Sequence, residues 1–247
     1  MKQKKIFALT LVLALLIGIF AMVPSASAVS DRPVKLIYAK PGHTSSGVTA
    51  TGYVEVENIA YNKSVTIHYS FDGTDWLDCA AEYYKPTWGN YEAWKFETTG
   101  KPALLSQVGI VTIQFAIKYE VNGQTYWDNN NGNNYFVKVN KYLPDQFDFG
   151  VGGVANYYAN VYNGATEGYL QLKDLGDSKD VKVIYTTDNW STSNQVNAQE
   201  QYSFYQSEVE MWEFTLPTTS SNLKYKLSYT VNGTTYVDDN FGNYYTV

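Results

Sequence analysis

The stretch from Tyr119 to Tyr135, YEVNGQTYWDNNNGNNY, returns at Tyr229 to Tyr245 as YTVNGTTYVDDNFGNYY. The two agree at most positions without a gap, which marks an internal repeat and commits the chain to building one unit twice. Each copy opens on Asn-Gly between runs rich in Tyr, Val, Ile and Thr, the pair that tolerates the positive φ of a type I′ hairpin turn. A loop of Asn, Asp and Gly follows, beside aromatic residues. Amides that donate and accept next to a flat apolar face are the chemistry of sugar recognition.

The repeat extends upstream. Gly52 to Asp72 lines up with Gly168 to Asp188, Trp76 with Trp190, and Trp94 and Phe96 with Trp212 and Phe214. Short segments such as Tyr53–Asn58, Val65–Tyr69, Ile113–Tyr119 and Tyr225–Tyr229 alternate with period two and are enriched in β-branched residues. No helical periodicity occurs beyond the N-terminus. The fold class expected is all-β. Each copy, of about 105 residues and seven or eight strands, fits an antiparallel, immunoglobulin-like β-sandwich, so two tandem sandwiches are expected. The join falls between Lys141 and Gly153, where Pro144 and the run Gly150-Val-Gly-Gly153 break strand patterns. The expected division is 1–28, 29–140 and 141–247.

Residues 1–28 read as a secretory signal: Lys2, Lys4 and Lys5, an apolar run from Ile6 to Val23, and the small residues Ala26-Ser27-Ala28. An uncleaved anchor is the alternative. A secreted chain beginning near Val29 is expected, with no membrane contact after cleavage, since no later stretch is apolar enough to span a bilayer. A single cysteine, Cys79, leaves no intrachain disulfide, so each fold must stand on its core. A net charge of -6 argues against polyanions, so no nucleic-acid partner is expected. With 23 Tyr, 6 Trp and 11 Phe, two small domains have too little interior to hide every ring. Some rings must therefore serve at the surface, where amphipathic Tyr and Trp are suited to binding.

At the residues Asn58 to Ile67, Asp72-Gly-Thr-Asp-Trp76, Asn90 to Trp94 and Phe115 to Tyr135, the sequence resembles a family 21 carbohydrate-binding module, the starch-binding type found in some fungal glucoamylases. Glycogen-targeting phosphatase subunits share that fold, but they are cytosolic, which the signal argues against. The resemblance implies two sugar sites on the first sandwich. For one, Trp76 and Trp127 match the stacking aromatics, with Asn129 and Asn134 as hydrogen-bond partners. Ala116 stands where a close relative carries a third aromatic. For the other, Asn58, Tyr61, Lys63, Tyr83, Tyr91 and Glu92 match, with Tyr84 as the alternative to Tyr83. The implied partner is an α-1,4-glucan: starch, amylose, glycogen or cyclodextrin. An amylolytic enzyme is a further implied partner.

The second copy keeps Trp190, Lys179 and Glu210. It has Val237, Asp239 and Tyr244 where the first has Trp127, Asn129 and Asn134, and Asp174, Asp177 and Val209 for Asn58, Tyr61 and Tyr91. Tyr202, Phe204, Tyr205 and Phe241 are available for a shifted platform. Trp94 and Trp212 alternate with Phe96 and Phe214 and read as core, and His43 and His68 read as incidental. The run from Asp128 to Asn133 is like a calcium loop, but Gly132 comes one place early and Val139 stands where a Glu is required, so no metal and no cofactor are expected. Asn62, Asn189 and Asn232 are N-glycosylation acceptors on paper.

No enzyme is expected. Glycoside hydrolysis needs two carboxylates in a cleft. Asp75, Asp78, Glu82 and Glu92 carry no catalytic motif around them, and a barrel hydrolase alone takes ~250 residues. The remaining alternative is a cell-surface module that uses the same fold to bind protein.

Overall fold

The computed structural model describes residues 32–45, 47–100 and 109–247. The signal segment 1–28 and the start near Val29 lie outside the described residues. Elements are labelled in chain order. The first half pairs two antiparallel sheets. One runs in the order β10 (Asp148–Phe149), β1 (Val34–Thr44), β2 (Gly47–Glu57), β6 (Tyr91–Glu97), β5 (Glu82–Pro86). The other runs β4 (Trp76–Ala80), β3 (Lys63–Ser70), β7 (Ile110–Val121), β8 (Gln124–Asp128), with β9 (Tyr135–Asn140) on the first part of β7. Among the described residues there is no α-helix, only a 3-10 turn at Asn130–Gly132.

The second half repeats this plan. Its sheets are β11 (Val154–Tyr162), β12 (Ala165–Lys173), β16 (Val209–Leu216), β15 (Gln199–Ser203), and β14 (Asn194–Asn197), β13 (Lys179–Thr186), β17 (Lys224–Val231), β18 (Thr234–Asp238). A lone bridge from Tyr225 to Tyr245 stands where the first half has β9. The all-β, immunoglobulin-like sandwich expected from period two is what forms.

Alternation sets the cores. In β3, Val65, Ile67 and Tyr69 turn inward while Thr66 and His68 turn out. The inward rows build one core around Leu36, Val54, Ile67, Phe115 and Tyr119, and another around Leu170, Val183, Phe214, Leu227 and Tyr229. Cys79, half-buried, packs against the first, and burial, then the nearby Asp78, pushes its thiol up to about 11, away from the thiolate form. Both Asn-Gly hairpins turn as expected, with positive φ at Asn122, Gly123, Asn232 and Gly233.

The segment between the halves is tied down rather than free. Tyr38 pairs with Phe149, so β10 extends a sheet of the first half. Gly150 and Gly152 donate backbone hydrogen bonds to Ile37, and a Cβ on Gly150 would lie 2.1 Å from the Leu36 carbonyl oxygen. Close approach, not chain flexibility, is why glycine stands there. A third cluster of Tyr38, Phe147, Phe149, Ala155, Phe204, Val209 and Met211 fills the seam. The fully buried Gln171 accepts the Phe147 N–H at 3.0 Å and donates to the Asp145 carbonyl at 2.6 Å.

Asp148 sits in this seam, accepting N–H groups from Phe136 and Phe149. Burial outweighs those bonds and the nearby Lys173 and Lys138, and raises its carboxyl to about 6. The folded value lies above that of an unfolded chain, so the folded state holds the proton more tightly. This group therefore adds stability as pH falls from about 6 toward about 4, and that contribution is lost as pH rises through 6. Between pH 7 and pH 4, urea unfolding should show the wild type gaining about 2 kcal/mol relative to Asp148→Asn. A difference that does not change with pH would contradict the assignment.

Candidate functional site

The outer face of the β4-β3-β7-β8 sheet carries the first aromatic group. Asp72 shapes the approach: its carboxylate accepts the Asp75 and Thr74 N–H groups, each at 2.9 Å, and the Thr74 hydroxyl. Those bonds hold the carboxyl well below the usual range. The chain then enters β4 at Trp76, opposite Ser70. Trp127, 47% exposed, projects from β8 opposite Lys118.

Between the indoles lies His68. Its ring stacks on Trp76 at 4.7 Å and 11°, and meets Trp127 edge-on at 6.1 Å and 78°. Since Trp76 is nearly parallel to His68 and Trp127 nearly perpendicular to it, the indole planes stand steeply to each other and do not form a flat row. His68 was read as incidental in sequence; the signal that could have found it is its place on the outward row of β3, opposite Ala116 and Asp78.

Asn129 and Asn134 shape the loop after β8. Asn129 accepts the Gly132 N–H at 3.0 Å with its side chain and the Asn134 N–H at 2.8 Å with its carbonyl. Asn134 adopts a left-handed φ of 61°, and its carbonyl accepts from the Asn130 amide at 3.1 Å. The neighbouring Asp128 is turned inward, accepting the Leu36 N–H at 2.8 Å and the Tyr135 hydroxyl. This explains the calcium-like spelling of the loop, and among the described residues no group of side chains is set to hold a metal.

A second group lines an open depression of about 780 Å³ formed by Asn58, Tyr61, Asn62, Lys63, Tyr83, Glu92 and Trp94. Tyr61 is almost fully exposed and Tyr83 more than half. Lys63 donates to Glu92 at 2.7 Å and also to Asn58, and the Trp94 indole N–H donates to Glu92 at 3.2 Å. Two expectations are corrected here. Tyr91 does not join the depression: one residue from Glu92 on a strand, it points to the other face, with the Lys35 ammonium 4.6 Å over its ring. Trp94 is not plain core; it is half-buried, packing on the core while its other side lines the depression, edge-on to Tyr83. The choice between Tyr83 and Tyr84 is resolved by a bulge in β5, which sends Tyr84 away to Tyr53 and Phe241 of the second half.

In the second half the same positions do other things. Trp190 lies inside its turn at φ 70°, not at a strand start, because Asp188 gathers the Thr192 N–H and the Thr186 and Thr192 hydroxyls. Its ring is covered by Tyr244 at 4.5 Å, the Lys226 ammonium stands 5.5 Å over it, and its indole N–H is buried without a partner. Of the rings available for a shifted platform, Phe204 is buried in the seam and Phe241 stacks on Tyr53 at 4.4 Å. Lys85 donates to the Phe241 carbonyl, and Asn243 donates to the Tyr84 hydroxyl at 2.7 Å.

The retained Lys–Glu pair is structural in both halves. Lys179 meets Glu210 at 2.9 Å and Asp174 at 2.8 Å, and the Trp212 indole donates to Glu210 at 2.9 Å, while Asp177 and Glu200 stand in the places of Tyr61 and Tyr83. Burial pulls the Lys179 ammonium down, but the bonds and charges of Asp174 and Glu210 win and hold it above the usual lysine range.

Two steeply set indoles, one exposed and one half-buried, beside an amide loop on a β-sandwich are the makeup of a module that holds sugar rings. Residues 30–138 match the carbohydrate/starch-binding module of family 21. Glucoamylase 1 of Rhizopus oryzae is 38% identical over 133 residues, 51% of this chain and 20% of the glucoamylase. Protein phosphatase 1 regulatory subunit 3C of Bos taurus is 35% identical over 103 residues, 39% of this chain and 30% of that one. The chain thus spans less than a third of either curated relative. Among solved structures, the starch binding domain of the Rhizopus oryzae glucoamylase, in complex with β-cyclodextrin and maltoheptaose, is 36% identical, with a TM-score of 0.35, covering 44% of this chain and 96% of that one.

Removing one member of a buried ion pair strands the other. Lys63 is only 4% exposed at its side chain and Glu92 14%. Glu92→Ala should therefore cost about 3 kcal/mol in urea unfolding. Glu210→Ala should cost a similar amount in the second half. Losses below about 1 kcal/mol would show the pairs to be dispensable.

Proposed function

We propose that this protein is a secreted, non-catalytic α-glucan-binding protein whose dominant site is the Trp76–Trp127 platform of the first half. The observation that carries the reading is the steep mutual setting of the two indoles around His68. Rings at an angle follow the curve of an α-1,4-glucan helix, whereas a flat row suits a flat chain. Each indole offers its plane to the axial C–H face of a glucose ring, and Asn129 and Asn134 offer amides to the hydroxyls. The match of residues 30–138 to the family's carbohydrate/starch-binding module supports the ligand class.

The depression around Tyr61 and Tyr83 is the second contact on the same sandwich, with Asn58 at its edge and Lys63 and Glu92 fixing its wall. Both surfaces are open, so each contact buries little area and is individually weak. The second half is a divergent copy of the module. Its covered Trp190 and docked Phe241 favour a bracing role over a second glucan site. The physiological role is delivery to an insoluble or polymeric α-glucan, alone or beside an amylolytic enzyme.

The purified protein should co-sediment with insoluble starch and not with cellulose, and should release no reducing sugar from amylose. Trp76→Ala and Trp127→Ala should each weaken β-cyclodextrin binding about tenfold or more, as expected for an aromatic anchor at the centre of a contact. Trp190→Ala should leave binding unchanged. Hydrolysis of amylose, or binding that survives both first-half substitutions, would overturn this assignment.

A further inference from the structure

We propose that His68 is a positioning residue that sets the angle between Trp76 and Trp127, and through it the curvature of glucan that the platform accepts; this rests on the function proposed above. Three observations carry it. The first is contact: the imidazole covers one face of Trp76 in near-parallel stacking and stands edge-on to Trp127. An indole on the open face of a sheet has several rotamers available, and a ring packed against its plane removes them.

The second is that the imidazole is itself held. Its Nδ1 donates to Asp78 Oδ1 at 2.6 Å, from the residue directly opposite on β4. On the other side it faces Ala116 of β7, which is 5% exposed and has no side chain with which to support either indole. His68 is the ring that occupies the middle of this row.

The third is the chain's own second copy, which keeps a tryptophan, Trp190, for Trp76 but moves it into a turn and loses the rest of the row. By strand register, Ile184 stands in the place of His68, Gln195 in that of Asp78, Lys226 in that of Ala116 and Val237 in that of Trp127. Where the platform is absent, its wedge and the partner of its wedge are absent too. A histidine that merely filled the surface would have no reason to vanish together with the second indole, Trp127.

The test compares β-cyclodextrin, whose curvature is fixed, with maltoheptaose, whose linear chain can adjust, by titration calorimetry on the full protein. His68→Ala should weaken β-cyclodextrin binding about five- to tenfold and maltoheptaose clearly less, with the urea midpoint unchanged. His68→Phe keeps a ring against Trp76 and should recover most of the lost β-cyclodextrin affinity. If Trp76→Ala abolishes binding while His68→Ala binds both ligands as the wild type does, the inference fails and the platform stands. An equal loss for both ligands together with a lowered midpoint, or a folded His68→Phe that recovers nothing, also overturns it. A wild type that binds neither ligand removes the platform and this role with it.

Discussion

Each sandwich closes on one buried aspartate. In the first half, β1 carries an irregularity between Leu36 and Tyr38, and the Leu36 N–H is capped by Asp128 at the end of β8. The second half does the same: β11 is irregular between Asn156 and Tyr158, and the Asn156 N–H is capped by Asp238. A tyrosine hydroxyl, Tyr135 or Tyr245, donates to the same carboxylate. Losing either carboxylate would leave a buried N–H and a hydroxyl unsatisfied, at about 1–3 kcal/mol each. At Asp238 burial is complete enough to raise the carboxyl despite those bonds. This contact ties the last hairpin to the first strand, and so fixes the start of the amide loop and the neighbouring Trp127.

From that shared anchor the two loops diverge. In the first half the residues after Asp128 are Asn, Asn, Asn and Gly, and the loop spends its amides on its own turn while Trp127 stays in solvent. In the second, Phe241 and Asn243 turn to Tyr53, Tyr84 and Lys85 of the first half, and Tyr244 covers Trp190. One loop geometry thus presents a surface outward in one copy and docks in the other. Few substitutions are needed, because the backbone is held by the same aspartate in both.

The repeat, the strand rows and the Asn-Gly turns were legible because each is a local pattern with a local cause. Positive φ at Asn122 and Gly123 follows from the residue types alone, and the inward rows follow from period two. The site was legible only in part. Trp76 and Trp127 are distant in sequence, and what joins them is the register of β3 against β4 and β7, which puts His68 between them. Tyr91 stands in other surroundings because a resemblance carries residue types but not the face on which a strand presents them, and Trp94, read as core from alternation, packs on the core but also lines the depression. Tyr84 hinged on a one-residue bulge. Trp190 matches Trp76 in residue type, yet it stands two places after Asp188 where Trp76 stands four after Asp72, and so falls inside the turn rather than at the start of a strand.

The seam has a consequence for how the molecule comes apart. Phe149 belongs by pairing to the first half, Phe147 and Phe149 pack with residues of both, and Gln171 of the second half clasps the backbone at Asp145 and Phe147. Neither sandwich can open without stripping cover from the other, so the pair is expected to unfold as one cooperative body rather than as beads on a string. The fold that carries the exposed aromatic face then depends in part on residues far from it. A lesion at Met211 or Phe204, remote from either aromatic surface, would shorten the lifetime of both.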